Sequence, residues 1–534
     1  MWGCAAAITG LSLLLGSTTS PSAEPASWRT LLESGRQQYE RAEYSKALQI
    51  LESSQTEALR QRATDLDQTE IWDALGAVYE SSGRLPDAQR MFDRALTERR
   101  KFSPGANANL AVSLTNESSL FWAMNQPQKA EEFAAASKNM WEALHDTNRP
   151  EYAAALNNLS AAYRLQARLS EALPLMNLAC QVYRLALPPS SPRLLRALGN
   201  MAQAYKDLGK YSQAEELLQE ALAAAQTSKD TPPALLSILL NGLGDLRLAE
   251  GQLQEGANLL SQAITAERIA ALPGDRQLAV EYNNLSSAYR LMGQLSAAGE
   301  QAQTALNELG DAHGPADIQR GAILNNLGLA AEAGRDFKRA ESFFEQAIAV
   351  WRPALGEHHP NIAAAYSNLA TLYQEKRQYG KAQKVLRDVL ARDRSTLPAA
   401  HPSIARDLNN LGSLEFRRRH YPEAEAYLRQ AVDIFRTALG PDHLDTGLSE
   451  ENLASALSAM KRPVDAQSLY TDALRILERS WGPENPKLIA AFEEYAQFLR
   501  ANSQSALAEQ AETRAMHIRV LTAIKTEKDG KARS

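Results

Sequence analysis

Apolar residues recur along this chain three and four positions apart, in blocks of about four helical turns. In His359 to Arg394 ("HPNIAAAYSNLATLYQEKRQYGKAQKVLRDVLARDR"), one stripe contains Ile362, Tyr366, Leu369, Ala370 and Tyr373. A second contains Tyr379, Ala382, Val385, Leu386 and Val389, with a polar break near Gln378 between them. Two amphipathic helices joined by so short a break are predicted to lie antiparallel. Pro360 falls in the first turn, where a missing N–H costs no helical bond, and Pro150, Pro192, Pro402 and Pro486 stand in the same place.

The block repeats. "YNNLSSAYRLMGQLSAA" at Tyr282 to Ala298 is echoed by "LNNLGLAAEAGRDFKRA" from Leu324. With Leu285 as reference, a step of 42 residues reaches Leu75, Glu117, Leu159, Met201, Leu243, Leu327, Leu369, Leu411, Leu453 and Tyr495. Thirteen residues after each stands Ala88, Ala130, Ala172, Ala214, Gly256, Ala298, Ala340, Ala382, Ala424, Ala466 or Ala508, and Ala47 begins the series one residue short of the full step. The small residue suits a close helix crossing, where a larger side chain overpacks by roughly 1–3 kcal/mol. The leucine register fills the space between one pair and the next. A lone hairpin cannot bury both sides of its stripe, so the pairs must stack. The expected fold is all-α: an α-solenoid of about twelve stacked antiparallel helix pairs over residues 28–521. The units at Glu117 and Tyr495 depart most from the pattern, and the last is polar enough to cap the array.

A chain of 534 residues is too long for one ordinary core, which fits such an array. Net charge is −6 with both signs dispersed, which supplies no clustered basic footprint for nucleic acid. "AAAITGLSLLLG" (Ala5 to Gly16) has the length of a secretory h-region and is too short to span a bilayer, although no Lys or Arg precedes it. Residues 1–22 are therefore expected to be a signal peptide and the protein exported, periplasmic or secreted; without that function of the segment it is cytoplasmic. No membrane span is expected in the mature chain, and the polar segment 522–534 is expected to be disordered. Two cysteines, Cys4 and Cys180, make no disulfide framework, and Cys180 reads as a small buried hydrophobe. No zincin, P-loop, nucleophile-elbow or dinucleotide motif occurs, so no catalytic residue, cofactor or metal site is expected. His359, His401 and His443 recur at the repeat step in the linkers, where a helix-capping part fits better than metal ligation. The acceptor motifs at Asn116, Asn158 and Asn284 match glycosylation sites, the latter two inside helices that leave no room for a glycan.

The order Leu-Gly or Leu-Ser, Tyr, a turn with Gly and an aromatic, then Ala resembles the tetratricopeptide repeat, as "NMAQAYKDLGKYSQAEELLQEAL" (Asn200 to Leu222) illustrates. The 42-residue step, the Asn-Asn-Leu starts and the linkers "ALGEHHPN" (Ala354 to Asn361) and "ALGPDHLD" (Ala438 to Asp445) are similar to the kinesin light chain type. The coiled-coil heptads of a kinesin light chain itself are absent. The resemblance implies a right-handed superhelix whose first helices line a concave groove for a peptide or protein segment. On that face stand Asn157, Asn283, Asn325 and Asn409, each followed by a second Asn. The second of each pair is expected to tie neighbouring hairpins together; the first suits either that role or contact with a ligand backbone. Arg164, Arg196, Lys206, Arg290 and Arg406 are the cationic candidates, Arg because its fork can hold a carboxylate. "RRRH" (Arg417 to His420) falls at an inter-helix turn and reads as solvated. The leading expectation is a non-enzymatic interaction scaffold. The alternative is a regulatory or sensor subunit of a separately encoded peptidase or signalling enzyme, since similar arrays are fused to caspase-like peptidases and signalling domains.

Overall fold

The computed structural model describes residues 27–531 apart from 42, 103–104, 167, 229–230, 271–275, 311–315 and 357–358. The expected signal peptide lies outside these residues. The described chain holds 24 helices and no strand. The first four pairs are α1 (Trp28–Glu40) with α2 (Tyr44–Arg60), α3 (Asp65–Ser81) with α4 (Leu85–Phe102), α5 (Ala108–Ala123) with α6 (Pro127–Ala143), and α7 (Pro150–Leu165) with α8 (Leu169–Ala186). Then follow α9 (Pro192–Asp207) with α10 (Tyr211–Thr227), α11 (Pro233–Ala249) with α12 (Leu253–Ala270), α13 (Arg276–Leu291) with α14 (Leu295–Leu309), and α15 (Ala316–Ala333) with α16 (Phe337–Leu355). The last four are α17 (Pro360–Glu375) with α18 (Tyr379–Thr396), α19 (Pro402–Arg417) with α20 (Tyr421–Leu439), α21 (Leu444–Ala459) with α22 (Pro463–Trp481), and α23 (Leu488–Ala501) with α24 (Ser505–Lys531). We number these pairs as units 1 to 12. They stack as the expected α-solenoid, and α24 carries on into the segment 522–534 that was expected to be disordered.

Odd-numbered helices pack on their own partner and also on the odd helices of adjacent units, as α5 does on α7 and α9 on α11. They form the inner layer and are buried almost all round: residues 113–121 of α5 and 151–160 of α7 are buried without a break. Every alanine of the small-residue series, from Ala47 to Ala508, is fully buried at 0% exposure.

The alternation between Leu-Gly and Leu-Ser has a packing cause. A Cβ on Gly76 or Gly328 would stand 2.5 Å from Phe92 or Phe344, and one on Gly412 would stand 2.5 Å from Leu428. Glycine there makes room for a large residue on the partner helix. Ser286 and Ser118 instead face the short side chains of the second helix, Ala302 and Ala134, both fully buried. Their hydroxyls donate to the Ala298 and Ala130 carbonyls at 2.7 Å. In these five units size is traded across the pair, whereas unit 4 buries Met176 at the position that matches Ser160.

Ten of the first helices end in a described residue of positive φ eight positions after the register: Gly83, Asn125, Gly209, Gly251, Gly293, Arg335, Arg377, Arg419, Lys461 and Ser503. The N–H that follows returns to the helix, as Gln378 does to the Tyr373 carbonyl at 2.7 Å, closing a Schellman-type cap. His359, His401 and His443 cap the helix starts as expected. Their Nδ1 atoms accept from the N–H two residues on, at 3.2, 3.2 and 3.1 Å.

The superhelix winds tightly enough to touch itself. The turns of units 5 and 6 seat against the linkers that open units 11 and 12. A Cβ on Gly209 would stand 3.3 Å from Ser480, and one on Gly251 would stand 3.1 Å from Pro486. Lys487 Nζ donates to the Ala249 carbonyl at 2.8 Å, while Trp481 packs beside the core that contains Tyr211. Arg276 at the start of unit 7 covers Gly83 of unit 2 in the same way. This seam is absent from any reading of single repeats.

Candidate functional site

The inner wall is built on the paired asparagines. The second Asn of each pair donates its amide across the unit boundary to the residue 43 positions earlier: Asn284 to Asn241 at 3.0 Å, Asn326 to Asn283 at 2.8 Å, and Asn368 to Asn325 at 2.9 Å. Asn410 bonds Ser367 at 3.0 Å and Asn452 bonds Asn409 at 3.1 Å. At the N-terminal end the same rung joins Asn116 to Asp73 at 3.0 Å and Asn158 to the Thr115 carbonyl at 3.0 Å. The second Asn therefore ties hairpins together. The first is the acceptor of that rung at Asn283, Asn325 and Asn409, with its Oδ1 engaged. Asn157 is buried on α7, its side chain against Tyr183. Replacing Asn326 by Ala is expected to cost about 1–2 kcal/mol, because Asn283 and Ser287 both lose their donor, as a urea midpoint would register.

The cationic candidates lie on first helices, and all but Arg196 stand near an acid of the next unit. Arg164, 14% exposed, meets Asp207 at 3.2 Å, and Lys206 beside it pairs with Asp245. Gln203 donates to the other Asp207 oxygen at 2.8 Å. Arg406 is half exposed and stands 3.9 Å from Asp445. Arg290 is half-buried, with a buried Nε lacking a partner; burial lowers its pKa, and the charge of Glu332 opposes that shift. Glu332 is in turn pushed up to about 7 by burial and by the nearby Glu375. Arg196 likewise keeps a buried Nε without a partner. The candidates thus fall into two strings, one through units 4 to 6 and one through units 7 to 9, with Arg406 apart.

The acidic members of these strings were missed by sequence reasoning. Asp207 stands one position beyond the plain repeat step from Arg164, so a search at the step itself passes it by. A small cleft where units 1 to 4 meet was missed as well; Arg36, Asp73, Arg99, Trp141 and Glu151 are among its walls. Arg36 meets Glu70 at 3.1 Å, and Arg99 bonds Asp73 as well as the Ser113 hydroxyl at 2.5 Å. Arg99 takes the position that holds Trp141 and Tyr183 in the next two units, a substitution visible only in register. Among the described residues no group of His, Cys, Asp and Glu could hold a metal ion, and no helix is long and apolar enough to cross a membrane.

A family profile described as tetratricopeptide repeat matches residues 121–185, 319–395 and 403–479, and a second of the same description matches residues 194–227. The chain is similar in structure to the apo form of the quorum sensor NprR from B. thuringiensis, with 14% identity over 68% of this chain and 97% of that one, at a TM-score of 0.50. That likeness shows the solenoid fold. BtubC (BKLC) from P. vanneervenii is 22% identical over 44% of this chain and 92% of its own, with a TM-score of 0.34. TPR-like repeats from a Podosopora anserina protein assigned as a kinesin light chain are 25% identical over 39% and 97%, with a TM-score of 0.33. No curated protein matches the chain.

Proposed function

Because the chain is a tetratricopeptide-repeat protein with 42-residue repeats of the kinesin light chain type, we propose that it is a non-enzymatic scaffold that grips a peptide or protein segment along its inner wall. The supporting observation is the polar string across successive first helices: Arg164 with Asp207, Lys206 with Asp245, and Arg290 beside Glu332. Held by one acid, an arginine retains donors for a second carboxylate, and its side chain is already ordered, which lowers the entropic cost of binding. Residues 1–22 would carry the protein out of the cytoplasm, to a periplasmic or secreted location.

A pulldown from that compartment tests the reading. Arg164→Glu combined with Arg290→Glu is expected to release the partner while the helical circular dichroism is kept. Retention of every partner by the double variant would sink the inner-wall assignment.

A second reading, a sensor or regulatory subunit of a separate enzyme, draws support from the seam. A solenoid that can close on itself has two discrete arrangements, and a ligand preferring one of them would shift the balance. It predicts that ligand addition changes the radius of gyration in solution scattering.

A further inference from the structure

The edge formed by the hairpin turns changes character along the superhelix. In units 2, 5 and 6 the left-handed turn position is Gly83, Gly209 or Gly251, and each lies against another coil. In units 8 to 11 the same position is Arg335, Arg377, Arg419 and Lys461, with φ of 61°, 55°, 65° and 59°. All four are exposed, and none makes an ion pair among the described residues. A non-glycine residue held there costs roughly 1 kcal/mol of backbone strain. A cation near a helix C-terminus recovers part of that through the helix dipole. Units 3 and 7, whose turn positions are Asn125 and an uncovered Gly293, do not take that gain.

The surrounding residues sharpen the contrast. The turns 333–339, 375–381, 417–423 and 459–465 hold eleven Lys or Arg against four Asp or Glu. The corresponding turns of units 2 to 7 hold four against five. A chain of net charge −6 therefore carries a local excess of cations on one edge of one third of the solenoid.

We infer that this ridge, centred on Arg335, Arg377, Arg419 and Lys461, is a second interaction surface that takes an extended acidic segment of a partner protein. The Asn rungs hold the first helices of neighbouring units in direct contact, so their axes lie about 10 Å apart. An extended chain advances about 3.3 Å per residue, so an acid at every third residue meets successive cations of the ridge. A protein segment fits this better than nucleic acid, whose phosphates recur about every 3.4 Å along a duplex strand and whose bases call for free stacking aromatics, while Phe337 and Tyr379 pack on the core and Tyr421 packs on Phe416. The ridge lies on the turn edge and does not depend on the inner-wall reading.

The test exploits the strained backbone. Replacing all four cations by glycine removes charge and relieves strain together, so the variant is expected to melt no lower than the wild type. The probe is a fluorescein-labelled (Glu-Ser-Gly)₄ peptide, with (Gln-Ser-Gly)₄ as control, followed by anisotropy on the full chain. The wild type is expected to bind the acidic peptide, more weakly as salt rises, and the glycine variant to bind at least about tenfold more weakly. Equal binding by the variant, or no binding by the wild type, overturns the proposal. So does tighter binding of a single-stranded oligonucleotide or of anionic phosphatidylserine vesicles than of the peptide.

Discussion

Replacing Phe344 by Ala should cost about 3–5 kcal/mol, the range of the largest single losses expected in such a core. The ring is fully buried and lies where Gly328 leaves room for it. Gly328→Ser alone should also destabilise, by about 1–3 kcal/mol, since its Cβ would press on a ring that the core holds on its other sides. The double variant Gly328→Ser with Phe344→Ala reproduces the arrangement native to unit 7, where Ser286 faces Ala302 and bonds the Ala298 carbonyl. It should therefore lose less than the sum of the singles. Urea midpoints of the four proteins complete a double-mutant cycle. Strict additivity would mean that the two positions do not share one volume.

The second large effect is a dependence on pH. At the boundary of units 9 and 10, Asp393 and Asp407 face one another at 3% and 2% exposure. Other boundaries bury Tyr183 and Ala197, or Trp351 and Ala365, at these positions. Burial, reinforced by Asp393, pushes the Asp407 carboxyl up to about 8. Between its ordinary value and that point the folded chain keeps a proton that the unfolded chain releases. Stability then falls as pH rises, by close to 1.4 kcal/mol per pH unit for each such group. Burial pushes Glu80 and Glu117 to about 8 as well, and Glu332 and Glu451 to about 7, all with the same sign. The capping histidines oppose them in acid. Burial lowers His359 to about 4 and also lowers His401 and His443, so their contribution drops as pH falls below about 6.5. The five carboxyls outnumber the three histidines, so maximum stability is expected below about pH 5. Asp407→Asn should stabilise on the order of 3 kcal/mol more at pH 8 than at pH 5. A variant whose midpoint shifts equally at both values would refute the shared-proton reading of this pair.

Much of this fold was legible in the sequence because its decisive contacts are local. The register leucines, the buried alanines and the linker histidines each act within one unit or between neighbours, so a fixed step exposes them. The Asn rungs were half legible. Recurrence marked the second Asn as structural, but nothing in the spacing showed that Asn283, Asn325 and Asn409 are its acceptors. The cations were named from the repeat register, but their acidic partners stand one or more residues off the repeat step, as Asp207 and Asp245 do. The seam was not legible at all. It depends on the pitch of the superhelix, a small rotation per unit summed over about six units, and Gly209 or Gly251 looks like any helix-ending glycine.

A linear stack that touches only its neighbours melts from its ends and tolerates deletion from the middle. Here the bond from Lys487 to the Ala249 carbonyl spans 238 residues, and it turns a ladder into a loop with a clasp. Breathing of helices α9 to α12 is then coupled to that of α21 to α23, and amide exchange in the two stretches should slow or quicken together. Closure of so long a loop carries an entropic cost that only a nearly finished coil can repay, which makes the clasp the last event of folding and the first to let go.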